Sequence, residues 1–281
     1  MKYHHIEKNT IQETLVIPLY ARKMCSELFP SLFRDETAIR LIDEIDYDFS
    51  GLAEKAGSAM QRFGFLEVAM RQNDLAYEVR EYLREHPEAA VVNLGCGLDD
   101  TGRRCDNGQC HMYNLDFPDV ISVRKELLPA GEREENIACD LNDTSWFDKI
   151  DSSGGAIFLA AGVFYYFLNE QVKKLVRAMS EAFPRGRLVF DAANKSAVKL
   201  MLKTWIKDAE IQDVGAYFAV SDAVREISQW SHGIRVSSRG YMLGYNDLRD
   251  PSVSGFFRFL AKVGDGVMKM RIVRVEFGNG N

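Results

Sequence analysis

Long apolar runs are missing from this sequence of 281 residues. No window approaches the roughly 20 uninterrupted apolar residues that a membrane helix requires, so we expect no membrane partner. Residues 1–12 are polar and include His4 and His5, which does not fit the apolar centre of a signal peptide. We therefore expect a soluble, cytoplasmic protein.

Paired cysteines and an excess of basic residues are also missing. The five cysteines are scattered without a Cys-x-x-Cys pair, so we expect reduced thiols. Cys105, Cys110 and His111 lack a fourth ligand at ordinary zinc spacing, and we expect no metal. The formal net charge of −6 argues against a nucleic-acid partner, because binding a phosphate backbone needs a basic face.

The apolar residues that are present, 46% of the chain, change their pattern near residue 88. Residues 1–88 are charged and show helical spacing, which predicts an N-terminal helical cap. From residue 89 short apolar runs alternate with helical stretches, which predicts an α/β fold with a mostly parallel sheet. We expect residues 89–281 to form the core, with a helical insert near 195–232, as one structural unit. Residues 268–277 alternate strictly, as in an antiparallel or edge strand.

The strongest local signal is a glycine turn, Leu94-Gly95-Cys96-Gly97, directly after an apolar run. Two glycines let the backbone turn sharply and come close to a ligand. Asp116 follows Gly97 by nineteen residues, at the end of the next predicted strand. A carboxylate there can accept hydrogen bonds from both ribose hydroxyls. The pattern predicts a nucleoside site, although glycine pairs at strand ends often only close a turn.

The residues after this turn favour S-adenosylmethionine over a dinucleotide. A dinucleotide fingerprint needs a third glycine, and Asp100 occupies that position. The acidic pair Asp99-Asp100 would repel a pyrophosphate, whereas a cofactor with a sulfonium and an ammonium group meets no such objection. An NAD-dependent oxidoreductase is therefore the weaker alternative.

Several segments, in order along the chain, resemble the leucine carboxyl methyltransferase superfamily, and within it the bacterial O-methyltransferases associated with polyketide biosynthesis. The segments are Ile-Pro-Leu-Tyr-Ala-Arg (17–22), Ile-Asp-Tyr-Asp-Phe (45–49), Val-Val-Asn-Leu-Gly-Cys-Gly-Leu-Asp (91–99), Leu-Asp-Phe-Pro-Asp-Val-Ile (115–121), Arg-Lys-Glu-Leu-Leu (124–128) and Gly-Val-Phe-Tyr-Tyr (162–166). The resemblance implies a class I S-adenosylmethionine-dependent methyltransferase, Rossmann-like, with a seven-stranded, mostly parallel sheet under an N-terminal helical lid.

The resemblance also implies a set of cofactor-binding residues. Gly95 and Gly97 would line the methionine part, Asp116 would hold the ribose, and Asp140-Leu141 would contact adenine. Arg71 matches an arginine that pairs with the cofactor carboxylate, which suits a guanidinium fork. The other residues that it implies at the cofactor are Cys96, Phe117, Ala161 and Gly162.

Two positions depart from the family pattern. Relatives usually carry Glu-Gly after the fourth strand, where this chain has Ala161-Gly162. They carry Asp-Thr-Arg after the glycine turn, where it has Asp99-Asp100-Thr101. The first change removes a charged group near the methionine end of the cofactor, and the second removes a basic residue nearby. A catalytically impaired nucleoside-binding or regulatory protein of the same fold therefore stays an alternative.

The predicted reaction is methyl transfer to a carboxylate or hydroxyl oxygen of a small molecule. Alignment and exclusion of water supply most of the rate of such a displacement. Candidate substrate residues are Tyr20, Arg22, Tyr166 and His232, with packing and a solvated helix face as the ordinary alternatives. His232 is suited to act as a base at neutral pH, but nothing in the sequence indicates its partner. Because no convincing base is evident, the sequence leans towards a carboxylate or phenolate acceptor.

Overall fold

The computed structural model of the chain describes residues 4–6, 13–201 and 217–278. Its helices and strands, in chain order, are β1 (His4–His5), α1 (Glu13–Leu28), α2 (Glu36–Glu44), β2 (Ile45–Asp46), α3 (Ser50–Lys55), α4 (Ala59–Glu85), β3 (Ala90–Leu94), α5 (Thr101–Arg104), β4 (His111–Asp116), α6 (Pro118–Leu127), β5 (Glu134–Ala138), β6 (Ala156–Ala160), α7 (Asn169–Ala182), β7 (Gly186–Ala192), α8 (Lys195–Met201), α9 (Ala223–Ile227), β8 (Ile234–Gly240), α10 (Gly255–Gly266) and β9 (Arg271–Phe277). Two short 3-10 helices cover Thr144–Lys149 and Phe164–Tyr166.

One sheet of seven strands, in the order β5-β4-β3-β6-β7-β9-β8, organises the chain after residue 89. Strands β3 to β7 are parallel, β9 runs antiparallel to β7, and β8 runs antiparallel to β9. The apolar runs β3, β6 and β7 are buried along their whole length, as expected of strands covered on both faces. The predicted seven-stranded, mostly parallel α/β sheet is confirmed.

The strand order places a crevice at the carboxyl ends of β3 and β6. Strand β3 pairs with β4 on one side and with β6 on the other, so the chain connections diverge at this point of the sheet. Ligands of open α/β sheets bind in the crevice outside the carboxyl ends of the strands at such a switch point. The loops that follow β3, β4, β6 and β7 are therefore the candidates for the site.

The N-terminal helices pack around α4, which begins at the Ser58 cap and ends before Pro87. Their hydrophobic cluster also includes residues of α10, since the ring of Phe257 lies 6.2 Å from Phe29 and 5.8 Å from Phe63. The predicted boundary at residue 88 falls between α4 and β3. The division into cap and core stays a prediction, because this shared cluster joins the two parts.

The predicted insert near residues 195–232 contains α8 and α9. Residues 202–216 lie outside the described part of the chain, so this part of the predicted insert is not described and α8 is given only as far as Met201. Across residues 4–6, 13–201 and 217–278, no helix combines the length and the hydropathy needed to cross a membrane.

Candidate active site

The glycine turn after β3 needs its glycines for two separate reasons. Gly95 has φ +61° and Gly97 has φ +47°, in the left-handed region that other residues enter at a cost. A Cβ on Gly95 would lie 2.6 Å from Cγ2 of Val163, and one on Gly97 would lie 3.1 Å from Cδ2 of Leu15. The turn is therefore closely covered, by the loop after β6 on one side and by α1 on the other.

Asp116 is held beside this turn by backbone donors. Its Oδ2 accepts a hydrogen bond from the Gly97 N–H at 2.8 Å, and its Oδ1 accepts one from the Phe117 N–H at 2.8 Å. Burial raises the pKa of Asp116, and the two N–H donors offset part of that rise. Each carboxylate oxygen keeps a lone pair for a further donor, so the group can still receive two hydroxyls.

Arg124 holds the carbonyl groups of the turn from beneath. Its Nη1 donates to the carbonyl oxygens of Gly97 at 3.0 Å and of Asp99 at 2.6 Å. The side chain is fully buried and pairs with buried Glu134, 3.4 Å away. This charged network, which sequence reasoning did not identify, fixes the path of the loop.

Arg22 performs a similar task, which corrects its expected role. Its Nη2 donates to the carbonyl oxygen of Leu98 at 3.0 Å, and its Nε pairs with buried Asp35 at 2.8 Å. Sequence reasoning placed Arg22 at the substrate or on a solvated helix face. The structure instead buries its guanidinium between α1 and the glycine turn, because the folded loop brings an unpaired carbonyl to it.

The acidic pair after the turn is directed into the protein. Asp99 accepts hydrogen bonds from Asn93 and from Thr101, each at 2.9 Å, and Asp100 accepts one from Thr37 at 2.5 Å. Burial raises the pKa of Asp100, with neighbouring acids adding to the rise. The preference for a cationic cofactor, which rested on this pair, therefore needs support from other residues.

A second group of polar residues lies at the carboxyl ends of β6 and β7. Nη1 of Arg71, on α4, lies 3.1 Å from Oδ2 of Asp191, and Oδ1 of Asp191 accepts the Gly162 N–H at 2.6 Å. Gly162 has φ +72°, and a Cβ there would lie 2.6 Å from Nη1 of Arg71. Nε of Arg71 is buried without a hydrogen-bond partner in the described chain. The guanidinium is thus held against a glycine backbone with donor capacity unused.

Two buried tyrosines surround this arginine. Tyr165 follows β6 and Tyr241 follows β8, and desolvation raises the pKa of each well above its ordinary value. Asp191 adds to both shifts, and Arg71 opposes both. Asp191 and Tyr241 were missed by sequence reasoning, which had only their positions at strand ends as a signal.

The other residues expected at the cofactor lie along the same sheet edge. Phe117 directly follows Asp116 and is half-exposed, and Asp140 follows the adjacent strand β5. Asp140 is exposed, and its Oδ1 accepts hydrogen bonds from the backbone and side chain of Asn142, each at 2.9 Å. Leu141 is buried in the main core, and Cys96 and Ala161 lie within the turns after β3 and β6.

The two candidate substrate tyrosines occupy different surroundings. Tyr20 is buried, stacked on Phe49 at 5.6 Å between ring centroids and edge-on to Phe65 at 6.0 Å, which is a packing role. Tyr166 is 45% exposed, yet desolvation raises its pKa. Tyr166 is accessible and lies in the segment after β6 that also carries Gly162, so it stays a candidate for substrate contact.

His232 is not brought to the site. It is exposed and precedes β8, whose first residue, Ile234, is paired with Phe277. Glu276, next to Phe277 on β9, is paired with Arg187 at the amino end of β7, whereas Asp191 lies near the carboxyl end of β7. Strand β7 has seven residues and is roughly 20 Å long, so the expectation that His232 contacts the substrate is not met.

The strand order, the glycine turn after β3 and the acid after β4 together define the class I S-adenosylmethionine-dependent methyltransferase fold. Two solved structures share it. A protein from Thermobifida fusca assigned provisionally to the methyltransferases has a TM-score of 0.58 and 16% identity, covering 94% of this chain and 96% of that one. A DUF574 family protein from Streptomyces avermitilis also has a TM-score of 0.58, with 13% identity and coverage of 92% and 97%.

The family is shown by the sequence match. The leucine carboxyl methyltransferase family model matches residues 16–180, more than half of the chain, and the chain belongs to that family. The tetracenomycin polyketide synthesis O-methyltransferase TcmP of Streptomyces glaucescens is 29% identical over 183 residues, which are 65% of this chain and 66% of that protein. The resemblance noted in the sequence is thereby confirmed.

Proposed function

We propose that this chain transfers a methyl group from S-adenosylmethionine to an oxygen of a small-molecule acceptor. The observation that carries the proposal is the presence of two complementary polar groups, one on each side of the glycine turn. Asp116 offers carboxylate acceptors on one side, and Arg71 offers unused guanidinium donors on the other. A nucleoside with an amino-acid tail has hydroxyls for the first and a carboxylate for the second.

The residues of the site fit that cofactor. Asp116 would hold the ribose, Phe117 and Asp140 would lie at the adenine, and Arg71 would bind the carboxylate. Glycine at residues 95 and 162 lets Val163 and Arg71 pack directly against the backbone of the site, where a Cβ would not fit. When bound, S-adenosylmethionine supplies a methyl group whose leaving sulfur is already activated by positive charge. The protein's part is then to orient the acceptor and exclude water.

Asp191 provides a carboxylate close to Ala161, the position at which relatives usually carry an acid. The family's usual acid is missing at residue 161, yet a buried carboxylate from the neighbouring strand reaches the next backbone N–H, that of Gly162. A carboxylate therefore lies at this sheet edge, although it comes from a different strand and is paired with Arg71. This supports a cofactor-binding enzyme over a protein that has kept only the fold.

The acceptor is a small molecule with a hydroxyl or a carboxyl group. The relative TcmP is named for polyketide synthesis. An acceptor with an aromatic ring would suit a site with Tyr166 at its surface. The expected reduced cysteines support a cytoplasmic location, since all five are free and four are buried.

Isothermal titration with S-adenosylmethionine, S-adenosylhomocysteine and NAD⁺ tests the cofactor. We expect S-adenosylmethionine and S-adenosylhomocysteine to bind and NAD⁺ not to bind. If S-adenosylmethionine and S-adenosylhomocysteine both fail to bind, the proposal is overturned. Turnover is then measured by mass spectrometry with hydroxylated aromatic acids, which offer both kinds of oxygen. Cofactor binding without any methylated product across the panel would favour the regulatory alternative that Ala161 suggests.

A further inference from the structure

Asp116 and Asp191 stand at the two ends of one row of residues across the carboxyl edge of the sheet. The pairing of β4, β3, β6 and β7 brings Asp116, Gly95, Ala161 and Asp191 to the same level. Adjacent strands lie about 4.8 Å apart, so the row is roughly 14 Å long. Since a glycine and an alanine lie between the two acids, an elongated ligand along this row would have one carboxylate near each end.

Asp191 is a buried carboxylate whose two oxygens are both engaged. Its side chain is 1% exposed. Oδ1 accepts the Gly162 N–H at 2.6 Å, and Oδ2 lies 3.1 Å from Nη1 of Arg71. A backbone N–H and a guanidinium are donors that hold a charged carboxylate inside a protein. Asp191 therefore places a fixed negative charge directly beside Arg71.

Three arginine–acid pairs support the site: Arg22 with Asp35, Arg124 with Glu134, and Arg71 with Asp191. The first two arginines also donate to carbonyl groups of the glycine turn and of the residues after it. Their side chains are 7% and 1% exposed, whereas that of Arg71 is 14% exposed. Of the three, Arg71 alone has a buried nitrogen, Nε, without a partner in the described chain. Its pair with Asp191 is therefore the one that is open to a ligand.

The two forms of the proposed cofactor differ by one positive charge at sulfur. S-adenosylmethionine and S-adenosylhomocysteine both carry a carboxylate and an ammonium group in their amino-acid tail, and the first carries a sulfonium charge in addition. An arginine without an acid would attract the carboxylate of both forms, but it would repel the sulfonium of the methyl donor. Asp191 offsets the charge of Arg71, so the carboxylate can be bound without that repulsion.

We propose that Asp191 sets the preference of this site for the positively charged methyl donor over the product, which is uncharged at sulfur. This rests on the proposed function. Asp191 acts through the charge and the position of Arg71 and contacts no reacting atom, so it is a positioning residue. The role is independent of the acceptor, because both cofactor forms can be bound without one.

Titration calorimetry tests this role through the ratio of the Kd of S-adenosylmethionine to the Kd of S-adenosylhomocysteine. Asp191→Asn removes the charge at nearly the same size, so it should raise this ratio about 5- to 30-fold, the effect of one unit charge over about two strand spacings. A purely structural loss would change both Kd values by the same factor and leave the ratio as it was. Asp191→Glu restores the charge and should keep the ratio within about threefold of the wild type.

Asp106→Asn is the matched control. Oδ2 of Asp106 lies 2.6 Å from Nη2 of Arg133, and its Oδ1 accepts the Gly108 N–H at 2.9 Å, so it has the same kinds of partner as Asp191. It precedes the amino end of β4, away from the site, and its loss should leave the ratio unchanged. Arg71→Gln tests the opposite sign, also if Asp191→Asn fails to fold. It leaves Asp191 without its cation, so both forms should bind more weakly and the ratio should fall about 5- to 30-fold.

An unchanged ratio in Asp191→Asn, with both Kd values moved together, would overturn the proposal and leave Asp191 as a structural partner of Arg71. An unchanged or raised ratio in Arg71→Gln would overturn it as well. Failure of the wild type to bind either cofactor form would instead overturn the proposed function, so the two failures are distinguishable.

Discussion

Replacing Gly162 by alanine tests whether the position of Arg71 sets cofactor affinity. The new Cβ would lie 2.6 Å from Nη1 and 3.1 Å from Cζ of Arg71, so either the guanidinium or the backbone of residue 162 must move. A guanidinium at the end of a flexible side chain moves more easily than a strand-end backbone. Arg71 would then lose its charge-assisted bond to the cofactor, worth about 1.5–3 kcal/mol, which corresponds to roughly a 10- to 150-fold higher Kd.

The same substitution also strains the backbone, and a matched glycine separates the two effects. Gly162 has φ +72°, where a residue with a Cβ costs about 1–2 kcal/mol. Gly108 has φ +82° and no atom within 4 Å of a Cβ. Gly108→Ala should therefore lose similar stability in thermal unfolding while binding S-adenosylhomocysteine like the wild type.

Titration calorimetry with S-adenosylhomocysteine compares the two variants directly. If Gly162→Ala binds as tightly as Gly108→Ala, Arg71 does not hold the cofactor and the assignment of its unused donors is wrong. A loss of stability far beyond that of Gly108→Ala would show that the backbone, not the arginine, yields to the added methyl group.

Three further predictions concern single side chains. Asp116→Asn should weaken S-adenosylhomocysteine binding about 10- to 100-fold in calorimetry, because a charged acceptor for the ribose is lost; unchanged affinity would contradict that role. His232→Ala should change cofactor affinity, turnover and the free energy of unfolding very little, by less than about 0.5 kcal/mol for stability, and a large loss of turnover would return His232 to the site. Burial, with Asp265 and Glu78 adding to the effect, raises the pKa of Asp74 to about 9, so the folded state holds a proton that the unfolded chain releases above about pH 4. Stability therefore falls as the pH rises between these values, and Asp74→Asn should flatten that slope in urea unfolding at pH 6 and pH 9; an unchanged slope would contradict it.

Local patterns made much of the fold predictable. The apolar runs of β3, β6 and β7 are buried on both faces, so their burial is visible in consecutive residues without knowledge of the fold. The turn at Gly95 and Gly97 was predictable for the same reason, since the two glycines and the strand that delivers them are adjacent in the chain. Arg71 was reached only through resemblance to a family, because nothing near it in sequence indicates a ligand.

The sequence did not show at which end of the sheet a side chain lies or which group it contacts. His232 has the chemistry of a base at neutral pH, and only the antiparallel course of β8 shows that it lies at the far end of the strands. Arg22 has the charge to attract an acid, and only the folded loop shows that the Leu98 carbonyl receives it. The sequence prediction used only the residue type of these two side chains. Their roles depend on the end of the sheet and the layer of the fold in which they lie.

The sequence by itself determined the class of the sheet, the glycine turn with its acid at Asp116, and the family to which the chain belongs. Each of these is recorded in residues that are close in the chain or in motifs that follow a set order. The tertiary structure alone decided that Asp191 pairs with Arg71, 120 residues away, and that Arg124 and Arg22 donate to the carbonyl groups of the glycine turn and the residues after it. Such contacts arise when distant strands and a helix pack together, and packing of that kind leaves no periodicity or spacing for the sequence to show.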